Sequence, residues 1–156
     1  MGKLCWGLVV VLLLAGAGAL WKFGVQGETE AAADGRLAVP LSAGGRDHVL
    51  REMRAFLQAA QQIIDAANRG DMTAVAQAAR RVGMAATHDV PAELMRKLPL
   101  GMKKLGRDTH RRFDQLALDA EQLGDPGQVM GALADLMRNC VACHDAFRLT
   151  VAPAAP

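Results

Sequence analysis

At 156 residues the chain is long enough for one domain and an N-terminal segment. It is 51% hydrophobic but only 4% aromatic, with no tyrosine, a balance that favours helices over a sheet. Its formal charge is +2, and Lys3 and Lys22 in the N-terminal segment supply that excess. The remaining domain is neutral and gives no electrostatic basis for binding nucleic acid.

Residues 1–23 contain an apolar run from Leu4 to Trp21, bracketed by Lys3 and Lys22-Phe23, and no acid occurs before Glu28. Two readings stay open. A cleaved signal peptide would use Lys3, Leu4–Leu14 and the small residues Ala15–Ala19. A retained membrane anchor would span residues 4–21 and end in an interfacial Trp-Lys-Phe belt, and that belt favours the anchor. Either reading exports residues 24–156. Cys5 is too early for a lipid-modified cysteine behind a signal and reads as an apolar residue. Residues 24–45 read as a linker of Gly, Ala, Glu and Asp, within which Leu37–Leu41 is expected to lie extended over the domain.

Four amphipathic helices are expected after the linker. The first starts between Ser42 and Asp47, with Leu50, Met53, Leu57, Ala60, Ile64 and Ala67 as its inward stripe. Asn68-Arg69-Gly70-Asp71 ends it and caps the second, which runs from Met72 to Ala86 with Val75, Ala79 and Val82 inward. A connection through Pro91, with a short helical turn at Glu93–Lys97, leads to Pro99 in the first turn of the third. That helix runs to Leu123 on Met102, Thr109, Phe113, Leu116, Ala120 and Leu123. Gly124-Asp125-Pro126 is a stop, a cap and an N1 proline in succession. The fourth helix then runs to about Thr150, with Val129, Leu133, Leu136, Cys140, Cys143 and Phe147 inward. Residues 151–156 read as a loose tail. Helices joined by short connections predict an all-α fold, an antiparallel four-helix bundle over residues 46–150.

Within the fourth helix stands Cys140-Val141-Ala142-Cys143-His144. Two cysteines three apart with histidine next is the pattern of covalent c-type haem attachment. Each thiol adds to one haem vinyl group, and on a helix the two cysteines share a face. His144 follows and can present its imidazole to iron. A zinc site would need two further ligands, and the remaining cysteine, Cys5, lies in the apolar run. A thioredoxin-like dithiol would need a βαβ context that is not seen. Haem attachment belongs on the exported side of the bacterial membrane, in agreement with the N-terminal segment. The cofactor expected is haem c with its iron, and the compartment is the periplasm.

With Cys140-Val-Ala-Cys143-His144-Asp-Ala-Phe147-Arg148 near its C-terminus, the chain resembles the class II cytochromes c, which include cytochrome c prime and its low-spin relatives. The resemblance covers residues 45–150 and is specific at the C-terminal motif. It implies a haem inside the bundle with His144 as proximal ligand. Low-spin members place a methionine on the first helix as sixth ligand, and Met53 matches that position. High-spin members have an apolar, non-ligating residue there. The family often carries arginine one turn earlier, near a haem propionate; this chain has Val49, so that contact is not assigned.

Met137, one turn before Cys140, together with Phe147 and Arg148, is a candidate haem contact. His48, His88 and His110 read as surface histidines, His110 being the nearest rival to Met53. Lys103, Lys104, Arg107, Arg111 and Arg112 crowd the third helix and read as a solvated face that could dock an acidic redox partner or an anionic membrane. No Ser/His/Asp arrangement, paired carboxylates or phosphate loop stands out, so no enzymatic activity is expected. The expected function is single-electron transfer through a His/Met-ligated haem, with redox proteins as partners and a homodimer as a further option. The alternative is a five-coordinate, high-spin haem that binds NO or CO.

Overall fold

The computed structural model describes residues 2–152. Helix α1, Gly2–Ala19, continues into a π-helical turn at Leu20–Gln26. Strands β1 (Glu30–Ala31) and β2 (Leu37–Leu41) precede α2, Ala43–Asn68. Then come α3 (Met72–Arg80), a 3₁₀ turn at Met84–Thr87, α4 (Ala92–Lys97), α5 (Leu100–Leu123), α6 (Pro126–Ala146) and β3 (Phe147–Val151). The fold is mostly helical, as composition suggested.

The helix boundaries follow local chemistry. The Ser42 hydroxyl accepts from the Gly45 N–H at the start of α2. At the other end Gly70, with φ +72°, lets the Asp71 N–H reach back to the Ala66 carbonyl. The Asp71 carboxylate then accepts from Ala74 N–H and opens α3. Asp125 does the same for α6, accepting from Gly127 and Gln128. The second expected helix stops at Arg80 rather than Ala86 because Gly83 breaks it. A Cβ on Gly83 would run into the Asp114 carboxylate, which accepts from the Met84 N–H at 2.9 Å and starts the 3₁₀ turn.

One buried cluster joins α2, α3, α5 and α6 through Ile63, Val75, Ala79, Phe113, Leu116, Val129, Leu133 and Leu136. Alanines at 59, 66, 76, 78, 79, 117 and 120 let the helices approach closely. The α2 face differs from the expected stripe. Val49, Ala59, Ile63 and Ala66 are buried, whereas Leu57 is 72% exposed. The apolar arc of α2 is wider than one face, so its spacing alone does not say which edge turns inward.

A second cluster sits at one end, where Val39, Leu41, Val49, Leu94, Leu98 and Met102 are buried together. It is built on a small sheet in the order β1-β2-β3. β1 pairs antiparallel with β2, and β2 pairs parallel with β3 from Leu37↔Phe147 to Leu41↔Val151. Two expectations therefore change. Residues 24–45 are not a plain linker, and α6 stops at Ala146, four residues short of Thr150. The run Phe147–Val151 leaves the helix because β2 offers its backbone a ladder and the second cluster takes Phe147 and Leu149. The expected loose tail begins inside that strand, at Val151; residues 153–156 lie outside the described residues.

Candidate haem site at the end of α6

Cys140 and Cys143 are half-buried free thiols on α6. Burial pushes both above the ordinary thiol range, and the neighbouring Cys140 adds to the effect at Cys143. Both thus remain protonated at neutral pH, the form whose S–H adds across a vinyl group. His144 is exposed, and its ring makes no hydrogen bond among the described residues. Its backbone carbonyl accepts from Arg36 Nη1 at 3.2 Å. Arg36 is itself held by Asp34 at 2.7 Å, and Asp34 also accepts from Arg148 at 3.2 Å. The bond to Arg36 holds the Asp34 carboxyl below the usual carboxylate range.

The faces of α2 and α6 follow from steps of 100° per residue. On α6, Asn139 donates to Asp108 and Thr109 of α5, so that flank faces α5. The opposite flank carries Met130, Met137, Val141 and His144, all of them exposed. On α2, His48, Arg51 and Ala55 share a cleft with Arg81 and Val82 beyond α3. The other flank continues from Val49 and Met53, in the end cluster, to Ile64 and Leu57, which are exposed. Of the four seams between these helices, that between α2 and α6 is the loosest. Much of this surface is left open: Val141 is 59% and Met137 45% exposed. Two half-buried free thiols one turn apart, with an exposed histidine beside them, are the donor set of a covalent haem, so the residues present fit that group. Cys140, Cys143 and His144 would hold it.

Met53 and Cys143 pack against the same end cluster, which brings the expected sixth ligand to the attachment motif. Phe147 joins that cluster and lies against α5, where a Cβ on Gly101 would meet its ring at 3.4 Å. Met137 lies on the open flank, and Arg148 turns to Asp34.

His110 differs from its reading as a surface residue. It is 4% exposed, and its ring lies beside Phe56. Nδ1 stands 2.8 Å from the Val82 carbonyl and Nε2 3.0 Å from Glu52 Oε1. Both partners are acceptors, so the ring can donate from both nitrogens when it is protonated. Burial works against that charge, but the Glu52 and Val82 bonds outweigh it and raise the pKa above its ordinary value. With both nitrogens engaged and the ring buried, His110 is not free to ligate iron. The only sequence sign of this pair was the position of His110 at the edge of the α5 stripe.

Among the described residues no group of three or more His, Cys, Asp or Glu side chains is arranged to hold a metal ion. No protein-family model, curated protein or solved structure matches this chain.

Proposed function

We propose that this protein is a monohaem c-type cytochrome that carries single electrons on the exported side of a bacterial membrane. In this reading α2, α3, α5 and α6 form an antiparallel four-helix bundle, and α1 with the following turn anchors it. The observation that carries the proposal is Cys140-x-x-Cys143-His144 at the end of α6, with both thiols half-buried and Cys143 packed against the same cluster as Met53. A covalently attached haem would supply a one-electron ferric/ferrous couple. Cys140 and Cys143 would fix it through two thioethers, each formed by adding S–H across a vinyl group. His144 and Met53 would ligate its iron, a donor pair that would favour the reduced state relative to two histidines. Redox proteins would be its partners.

The segment Cys5–Gln26 is long and apolar enough to span a bilayer, a criterion that a signal sequence also meets. The anchor reading is favoured by Trp21 and Phe23, which stand exposed beside Lys22 at the end of the run.

The test is expression with haem-maturation machinery, followed by denaturation and acid–acetone extraction. The haem should stay with the polypeptide, and mass spectrometry should show one haem added. A mass equal to that of the bare chain overturns the proposal.

A further inference from the structure

The chain has five lysines, and their placement is uneven. Lys3 precedes the apolar helix. Lys22 lies in the turn that ends it, and Lys97, Lys103 and Lys104 lie at the α4–α5 corner. Every other basic residue of the helical domain is arginine.

The corner is joined directly to the end of the apolar helix. Lys103 Nζ donates to the Phe23 carbonyl at 3.1 Å and lies 3.4 Å from that of Gly24. The Glu28 N–H donates to the Lys97 carbonyl at 2.8 Å, and the Glu28 carboxylate pairs with Lys97 at 3.6 Å. Gly27 fits between these bonds. Its φ is +64°, and a Cβ there would lie 2.5 Å from the Lys97 carbonyl oxygen. The connection is therefore a fitted joint, and it sets the corner at the level where the span ends. Lys22, Arg96 and Lys104 are exposed and make no ion pair among the described residues. The acids at the corner are Glu28, already paired with Lys97, and Glu93.

We propose that the α4–α5 corner is a membrane-seating surface. Lys22, Arg96 and Lys104, backed by Lys97 and Lys103, bind the anionic headgroups of the bilayer that the N-terminal helix crosses. Their long apolar stems lie along the interface while the charges reach the headgroup phosphates. The helical domain then rides on the membrane in one orientation instead of swinging on a tether. This rests on the retained-anchor reading.

The experiment uses the full chain reconstituted in vesicles of phosphatidylcholine alone or mixed with phosphatidylglycerol. A water-soluble acylating reagent modifies the lysines, and mass spectrometry reads each site. Acylation of Lys104 and Lys97 should slow in the phosphatidylglycerol vesicles, by about fivefold for each cation that engages, and recover in high salt. The double substitution R96E/K104E should abolish the difference at Lys97. Equal acylation in both vesicles overturns the seating surface while leaving the anchor intact. A chain that alkali strips from both vesicles overturns the anchor, and the seating with it.

Discussion

Met53 is half-buried against the end cluster of Val49 and Met102, where a thioether can either ligate iron or only fill space. The haem-loaded protein separates the two. If sulfur ligates, the parent is low-spin and closed to CO. Met53→Ala should then become high-spin, bind CO and lose reduction potential, with helical circular dichroism preserved. Lost packing should cost about 2 kcal/mol, the low end for Met→Ala at a site that is not fully enclosed. A parent that is already high-spin and binds CO makes Met53 a packing residue, and gas binding becomes the better account. His110 belongs to stability instead. Its folded pKa lies above the unfolded value of 6.5, so its ion pair with Glu52 stabilises fully below that pH. The stabilisation fades as pH rises through the folded pKa. Thermal melts from mildly acidic to alkaline pH should show this loss. Glu52→Gln should flatten it and cost about 1–3 kcal/mol at neutral pH.

Between α3 and α5 the chain depends on one missing side chain. Gly83→Ala would push a methyl into the Asp114 carboxylate that caps the 3₁₀ turn. The expected cost is about 1–3 kcal/mol in urea denaturation, and adding Asp114→Ala should recover part of it by removing the clash. Such detail was partly legible beforehand. Gly70-Asp71 and Gly124-Asp125-Pro126 are signals carried by backbone freedom and capping oxygens, and each marks the boundary it suggested. The α5 stripe was equally readable, because Met102, Phe113, Leu116 and Ala120 form one narrow line. α2 was not, because its apolar arc spans two flanks and only its neighbours decide which is covered. β3 was hidden for another reason: Phe147–Val151 continues a helical pattern, and its competing partner lies at the far end of the chain. Of the candidate site, the attachment motif was visible from spacing alone. The Arg36 bond to the His144 carbonyl and the burial of His110 are products of tertiary contact and leave no local pattern.

For the whole molecule, the proposed haem would make stability and attachment one problem, because the α2–α6 seam is loosely packed. Anything that binds only the folded chain stabilises it, and a covalent group that covers exposed methionine, leucine and valine does so permanently. The loaded protein should melt well above the C140S/C143S chain, and the latter should bind a hydrophobic dye that the former excludes. The joint between the two ends of the chain sets an order of events. β2 and Arg36 are made early, yet their partners lie at the other terminus, with Arg36 and His144 108 residues apart. Contacts of such separation close late, because the loop between them must be ordered first. A growing chain can complete α2, α3 and α5 while β2 still waits. Cys140 and Cys143 emerge before the strand that locks the end of their helix. A chain stopped after Ala146 should keep its helical circular dichroism but leave β2 exposed to protease. Closure of the sheet is thus the last act of this fold, and the attachment motif stands open until it happens.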